Sequence, residues 1–177
     1  MTGRSAIFLD RDGVLNVDHG YTHDPASLQW QPGAREAMAL IKQAGYLAIV
    51  VTNQAGIGRG YYTEAQMHAF HEAMNRDLAR HGCAIDAFYF CAYHPEASRP
   101  EFRHRDHPDR KPNPGMILKA IADWGIDPAR SLLIGDRDTD VTAARRAGVA
   151  GHIYQGGRLD DLIRGLLPGR PASGSGR

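Results

Sequence analysis

Two carboxylates follow the first apolar segment of the chain with a single residue between them. Asp10 and Asp12 come directly after the stretch Ser5 to Leu9, and Gly13 follows them. On an extended backbone, residues two apart point to the same face, so both carboxylates can reach one substrate. One can attack an electrophile while the other protonates the leaving oxygen and later deprotonates a water. Taken alone, the pair also fits a solvated turn between a strand and a loop.

Three further groups of polar residues could assist this pair, and each follows a later apolar segment. Thr52 offers a hydroxyl beside backbone donors, which suits phosphoryl oxygens. Arg110 and Lys111 supply fixed positive charge ahead of a helix. The run Asp136 to Asp140 contains carboxylates that could bind Mg²⁺, which prefers oxygen ligands. Singly, each group also has a plain explanation as a turn residue, a surface charge or a helix cap.

The elements that must position these residues alternate between strand-length and helix-length segments, as in βα units around a parallel sheet. Thr63 and Gln66 have the spacing of a capping box at the start of one helix. The pattern predicts an α/β domain with a central parallel sheet. The five predicted strands are Ser5 to Leu9, Tyr46 to Val51, Ala87 to Cys91, Ser131 to Ile134 and Gly151 to Tyr154.

Two long connections leave the carboxyl ends of predicted strands, where parallel sheets bind ligands. They are Asp10 to Gln31 and Ala92 to Asn113, and we expect the functional site there. The segment Gly56 to Gly60 does not match G-x-G-x-x-G and is interpreted as a mobile or tightly turning substrate loop. We expect residues 1–167 to form one domain and residues 168–177, rich in Gly, Ser, Pro and Arg, to be a disordered tail.

Composition narrows the class of protein. The 177 residues carry 21 Lys and Arg against 20 Asp and Glu, so no overall field favours nucleic acid or an anionic membrane as partner. Two cysteines are too few for a disulfide framework and fit a reducing compartment. The first residues hold too short an apolar run for a signal peptide. We therefore expect a cytoplasmic protein, and a monomer since no coiled-coil heptad is evident.

In this order, each after a strand, the four groups of residues resemble the four signature motifs of the haloacid dehalogenase superfamily of phosphohydrolases. The resemblance implies a Rossmann-like three-layer α/β/α fold, with a minimal cap made of loops because no large cap domain fits. It implies Asp10 as the nucleophile that forms an aspartyl phosphate and Asp12 as the general acid and base. It also implies Thr52 and Lys111 as stabilisers of the phosphoryl group. Mg²⁺ would be held by Asp10, the Asp12 carbonyl and Asp136.

The superfamily resemblance covers residues from about 5 to 155. Along most of its length the chain further resembles the heptose-bisphosphate phosphatases of this superfamily. This implies a Mg²⁺-dependent phosphatase that removes the 7-phosphate of D-glycero-D-manno-heptose 1,7-bisphosphate, of either anomer, in heptose supply for lipopolysaccharide or another surface glycan. Arg110 would bind the uncleaved phosphate through its planar guanidinium. The implied substrate-binding residues are Asp18, His19, Gly20, Tyr21, Thr52, Asn53, Gln54, Ala55, Arg59, Arg110, Lys111 and Arg137.

Two alternatives stay open. A histidinol-phosphate phosphatase or another small sugar phosphatase has closely similar motifs, and a catalytically silent phosphosugar-binding protein would share the fold without turnover. Close relatives carry a zinc site of one His and three Cys. Here Cys91 remains, but Tyr93, His107 and Asp109 stand at the other three positions, so zinc is not favoured, although neighbouring histidines could form a different site.

Overall fold

The centre of the protein is a sheet of five parallel strands. A computed structural model describes residues 3–167, and the predicted tail at residues 168–177 lies outside them. The sheet order is β3-β2-β1-β4-β5, which confirms the predicted parallel sheet. The strands are β1 (Ala6–Leu9), β2 (Leu47–Asn53), β3 (Ala87–Cys91), β4 (Leu132–Gly135) and β5 (Ala150–Ile153).

Helices cover both faces of this sheet, because successive strand residues point to opposite sides. Ile7 and Leu9 pack on the side that carries the helices at residues 34–43, 64–79 and 159–166, whereas Ala6 and Phe8 pack on the side of those at residues 115–124 and 138–146. The fold is therefore the three-layer α/β/α arrangement that the resemblance implies. The helices are α1 (Ala34–Gln43), α2 (Ala55–Gly58), α3 (Glu64–Ala79), α4 (Gly115–Trp124), α5 (Asp138–Arg146) and α6 (Leu159–Leu166).

Two local predictions from the sequence, the capping box and the glycine-rich segment, can be compared with the structure. The predicted capping box is present, since the Gln66 backbone N–H donates to Thr63 Oγ1 at 3.2 Å. The glycine-rich segment, interpreted as mobile or tightly turning, turns tightly, because residues 55–58 form a single helical turn in which Gly56 and Gly58 are buried. A Cβ at Gly58 would lie 2.6 Å from the Ala92 carbonyl oxygen, so close packing explains this glycine. Among residues 3–167, no helix is long and apolar enough to cross a bilayer.

The switch point of the sheet lies at β1. Leu9 pairs with Val50 of β2 and with Ile134 of β4, and the Asp10 backbone N–H donates to the Ile134 carbonyl oxygen at 3.0 Å. Three neighbouring strands therefore end at the same edge, where doubly wound sheets bind ligands. This brings the residues that follow β1, the end of β2 and the residues that follow β4 to one place.

Candidate active site

A buried ammonium group lies at the centre of this edge. Lys111 Nζ lies 3.1 Å from Asp10 Oδ1 and 2.6 Å from Asp140 Oδ1, and it donates to the Val51 carbonyl oxygen at 2.8 Å. The side chains of Lys111 and Asp140 are only 3% and 2% exposed. Burial opposes the charged ammonium most strongly, but the two carboxylates outweigh it and raise the pKa of Lys111. The lysine therefore carries its charge at neutral pH.

The last residue of β2 fixes the loop that carries this lysine. Asn53 Nδ2 donates to the Lys111 carbonyl oxygen at 3.1 Å, and the Lys111 backbone N–H donates to Asn53 Oδ1 at the same distance. The Lys111–Pro112 peptide bond is cis. Asn53, which was predicted to bind substrate, lines the pocket. The nitrogen and the oxygen of its side-chain amide are both already hydrogen-bonded to the Lys111 backbone.

Three carboxylates beside the ammonium form an acidic cluster. Oxygens of Asp10, Asp136 and Asp140 lie within 4.8 Å of one another. Gly13 permits this arrangement, because it has φ +84° and a Cβ there would overlap the Asp136 carboxylate. Asp140 was not among the ligands implied by the resemblance, which were Asp10, Asp12 and Asp136.

The acidic cluster fits a divalent cation. Within residues 3–167, Asp136 Oδ1 is buried and has no hydrogen-bond partner. Burial raises the pKa of Asp10, and the Asp140 charge adds to the effect while Lys111 opposes it. Burial also raises the pKa of Asp136, again with a contribution from Asp140. The three carboxylates together carry more negative charge than the single Lys111 ammonium offsets. Their ligand atoms are all oxygens, which Mg²⁺ prefers.

Asp12 lies in a different environment, because neutral and cationic donors hold its carboxylate. Oδ1 accepts from Arg11 Nε at 3.1 Å and from Asn16 Nδ2 at 3.0 Å. Oδ2 accepts from Arg11 Nη2 at 3.0 Å and from Gln54 Nε2 at 3.1 Å. Gln54 also donates to the hydroxyl of the buried Thr52 at 2.9 Å, and so it links the two side chains.

These side chains border an open cavity of about 430 Å³, a size that suits a small ligand. His19 is not part of its lining; this residue is exposed, and its backbone N–H donates to Thr22 Oγ1 at 2.9 Å. The cavity lining also includes Tyr62, His94, Thr139 and Asp140, which were not predicted. The predicted residues that line the cavity are Asp10, Asp12, Asp18, Gly20, Tyr21, Thr52, Asn53, Gln54, Ala55, Arg59, Arg110, Lys111 and Arg137.

Three arginines give the cavity a cationic wall. Arg59, Arg110 and Arg137 all line it. Burial lowers the pKa of Arg110, and the charges of Arg59 and Arg137 lower it further, although Cys91 opposes the effect. In the described part of the chain, Arg59 Nε is buried without a hydrogen-bond partner. Its Nη2 lies 3.5 Å from Glu96, which is exposed and is the one ion-pair partner of these three arginines in the described residues. The net positive charge of this wall suits an anionic group of a ligand.

The long loop that follows β3 places two of the residues considered for the implied zinc site, Cys91 and His107, close together. Cys91 Sγ lies 3.9 Å from His107 Nδ1, and burial raises the pKa of this thiol. Tyr93 stacks on His107 with ring centroids 3.9 Å apart, and Asp109 forms an ion pair with Lys119. The sulfur and one imidazole offer two donors, whereas a structural zinc needs four. In residues 3–167, Cys91 and His107 belong to no group of three or more His, Cys, Asp or Glu ligand atoms within 4.8 Å of one another, so we expect no zinc here.

Two residues with charged contacts in the site, Asp140 and Arg11, were not assigned to it from the sequence, although Asp140 lies in the run Asp136 to Asp140 that was considered for Mg²⁺ or as a helix cap. Asp140 had a signal, because it lies four residues after Asp136 at the start of a helix, where i and i+4 share a face. Its backbone role is also real, since Asp140 Oδ2 accepts from the Arg137 N–H at 3.1 Å. Arg11 gave no signal, because an arginine between two aspartates is usually exposed.

Comparisons with known proteins agree with this geometry. Residues 109–168 match the family described as HAD-hydrolase-like. The chain is 44% identical over 146 residues to D-glycero-beta-D-manno-heptose-1,7-bisphosphate 7-phosphatase of Pasteurella multocida, covering 82% of this chain and 78% of that one. It is 46% identical over 144 residues to D-glycero-alpha-D-manno-heptose-1,7-bisphosphate 7-phosphatase of Burkholderia mallei, covering 81% and 76%.

A solved structure extends the similarity to three dimensions. D,D-heptose 1,7-bisphosphate phosphatase from B. bronchiseptica, complexed with magnesium and phosphate, has a TM-score of 0.76 and 34% identity to this chain. The match covers 93% of this chain and 88% of that one. The sequence identities to the curated relatives hold over more than three quarters of their length. The chain therefore belongs to the HAD-like phosphatase family that contains these heptose-bisphosphate 7-phosphatases.

Proposed function

We propose that the protein is a Mg²⁺-dependent phosphatase that hydrolyses the 7-phosphate ester of D-glycero-D-manno-heptose 1,7-bisphosphate. One observation carries the proposal: the buried ammonium of Lys111 lies 3.1 Å from Asp10, and both residues line one cavity together with Asp12 and Asp140. Anionic nucleophile, cation and second carboxylate are the parts that phosphoryl transfer through a covalent intermediate requires. The names of the relatives supply the substrate class.

In this mechanism the two carboxylates have separate tasks. A carboxylate oxygen of Asp10 attacks phosphorus, and the bond from phosphorus to the sugar oxygen breaks as Asp12 donates its proton to that oxygen. A water then attacks the aspartyl phosphate, Asp12 accepts its proton, and inorganic phosphate leaves. Lys111 and the Thr52 hydroxyl stabilise the charge on the phosphoryl oxygens during both steps.

Asp10, Asp136 and the carbonyl of Asp12 would hold the Mg²⁺, with Asp140 as a neighbouring carboxylate. When bound, the ion offsets the charge of the phosphate dianion, which otherwise repels Asp10. Lys111 contributes to the same end from the protein itself. The unpartnered Asp136 oxygen supports this choice of ligands.

The cationic wall is the proposed subsite for the phosphate that is not cleaved. Arg110, with Arg59 and Arg137 beside it, binds the 1-phosphate, so the 7-phosphate faces Asp10. The product keeps its 1-phosphate, which suits later activation by a nucleotide in the supply of heptose for a surface glycan. We place the enzyme in the cytoplasm as a monomer; the two free cysteines, both buried, are consistent with a reducing compartment.

The test is phosphate release from both anomers of the heptose bisphosphate and from histidinol phosphate, with Mg²⁺ or with excess chelator. We expect one equivalent of phosphate from one heptose anomer, only with Mg²⁺. An Asp10→Asn protein should lose activity by at least about 10⁴-fold. Turnover of histidinol phosphate alone would keep the chemistry and change the substrate. A folded protein that hydrolyses no phosphomonoester would favour a binding protein instead.

A further inference from the structure

The residue between the two aspartates is the largest fully buried side chain of the described chain. Arg11 is 0% exposed, and its guanidinium lies over the Phe70 ring, 4.7 Å from the centroid. Nη2 donates to the Thr22 carbonyl oxygen at 2.6 Å. Nε and Nη2 both reach the neighbouring Asp12 carboxylate. The Arg11 side chain thus folds back beneath the site and is hydrogen-bonded to the carboxylate of the next residue, Asp12.

A buried histidine holds the other side of this guanidinium. His71 of α3 is 4% exposed, and its Nε2 lies 3.1 Å from Arg11 Nη1. Arginine can only donate, so Nε2 must accept and the proton of the neutral ring lies on Nδ1. In residues 3–167, that Nδ1 is buried without a partner. The ring is further fixed by stacking on Phe88 with centroids 4.1 Å apart.

Building on the proposed phosphatase function, we propose that Arg11 and His71 are positioning residues that hold the Asp12 carboxylate in place for its proton transfers. The guanidinium is planar, so two of its nitrogens on one carboxylate fix orientation as well as distance. His71 fixes the guanidinium in turn, and it connects Asp12 to the helix α3. Neither Arg11 nor His71 lines the cavity, whereas Asp12 does, so both act through Asp12.

The consequence depends on the leaving group. A sugar alkoxide leaves only when it is protonated, so cleavage of the heptose ester requires a well-placed Asp12. A p-nitrophenolate leaves without a proton, so formation of the aspartyl phosphate from p-nitrophenyl phosphate does not. Hydrolysis of that intermediate requires Asp12 as a base with either substrate. Displacement of Asp12 therefore slows formation of the aspartyl phosphate from the heptose ester but not from p-nitrophenyl phosphate. It slows hydrolysis of the aspartyl phosphate with both substrates.

The experiment compares His71→Phe with His71→Gln in the full chain. Phenylalanine keeps the stacking on Phe88 but cannot accept from Arg11, whereas the glutamine amide oxygen can. We expect His71→Phe to lower kcat/KM for the heptose bisphosphate by about 100-fold and that for p-nitrophenyl phosphate by less than about threefold. Rapid mixing with p-nitrophenyl phosphate should show a burst of p-nitrophenolate. His71→Gln should recover most of the loss.

Met74→Ala is the matched control, because Met74 is a buried core residue of the same helix. It should lower stability without changing the ratio between the two substrates. Equal loss on both substrates, or a pattern like that of Met74→Ala, would overturn the proposal. Should His71→Phe not fold, Arg11→Lys decides, since lysine keeps the charge but lacks the fork. A wild type without Asp10-dependent turnover would instead refute the proposed function.

Discussion

Two parts of the molecule hold similar ion pairs in opposite surroundings. We call Asp10, Lys111, Asp136 and Asp140 the buried cluster, and residues 92–109 the outer loop. Lys111 is 3% exposed and shares two carboxylates, whereas Lys119 is 59% exposed and pairs with Asp109 of the outer loop. Buried charges interact strongly, and removal of one partner greatly lowers the free energy of unfolding because the other charge stays buried without compensation. Exposed ion pairs contribute little to the free energy of unfolding. The same residue types therefore serve chemistry in one region and local packing in the other.

Replacing each lysine by methionine sharpens this contrast most. Lys111→Met leaves Asp10 and Asp140 without their cation, so we expect about a 10³-fold loss of kcat and a loss of about 3–5 kcal/mol in the free energy of unfolding. Lys119→Met should change stability by less than about 1 kcal/mol and activity by less than about twofold. Phosphate release and urea unfolding measure both. Equal effects of the two variants would break the comparison.

A methyl group at Gly13 tests the packing of the buried cluster. Gly13→Ala forces its Cβ against the Asp136 carboxylate, so the Mg²⁺ concentration for half-maximal activity should rise by about 10- to 100-fold. Gly45→Ala is the matched control, because Gly45 also has positive φ, +80°, but nothing lies within 4 Å of a Cβ there. The Gly45→Ala protein should be less stable because of backbone strain, but its Mg²⁺ titration should be unchanged. A shifted titration in Gly45→Ala would contradict this reading.

The pH dependence of stability probes the support beneath the buried cluster. Burial above all, with the charges of Arg11 and His68, lowers the pKa of His71 from 6.5 to about 3. Because the folded pKa is the lower one, the unfolded chain binds the extra proton below pH 6.5, and stability falls as pH falls from there toward 3. The expected slope reaches about 1.4 kcal/mol per pH unit.

Urea unfolding of wild type and His71→Phe between pH 7 and pH 5 isolates this slope, because the other titrating groups, including Asp10 and Asp136 with their raised pKa values, are present in both proteins and cancel in the difference. The variant should be less stable throughout, since Arg11 loses its acceptor, but it should be less dependent on pH. Parallel curves for the two proteins would show that His71 is not the group that titrates.

The outer loop should give the smallest effect. Since Cys91 and His107 supply only two donors, we expect less than about 0.1 zinc per chain after purification with zinc present. A zinc-selective chelator, added with Mg²⁺ in excess, should leave Tm unchanged. One zinc per chain, with a Tm that falls on chelation, would contradict this prediction. It would mean that the outer loop is stabilised by a structural zinc ion.

Sequence reasoning succeeded where function follows directly from strand ends. Asp10 and Thr52 lie at the edge of the sheet because β1 and β2 are short, apolar and parallel, and such strands are legible from their residues. It failed where a partner comes from a distant segment. For the glycines of Gly56 to Gly60 it left a mobile and a tightly turning segment both open, because the contacts that decide, such as that of Gly58 with Ala92, lie elsewhere in the chain.

The missed helix α6 had a readable signal. Leu159, Leu162, Ile163 and Leu166 follow the spacing of a helix face, just after two glycines. By contrast, no local pattern marks Arg11 as buried, because only Phe70, His71 and Thr22 together make room for it. Charged residues that are buried by remote neighbours are the class that a sequence alone does not reveal.

The sheet order also governs when activity can arise during protein synthesis. β1 is made first, yet its neighbour β4 comes from the far part of the chain, and the Ala6 N–H donates to Ser131 Oγ across 125 residues. Contacts so distant in sequence form late. A nascent chain carries Asp10 from the start but lacks Asp136 and Asp140 until residue 140 of 177 has been added. Chains that terminate before residue 136 therefore carry the proposed nucleophile but lack both later carboxylates of the acidic cluster.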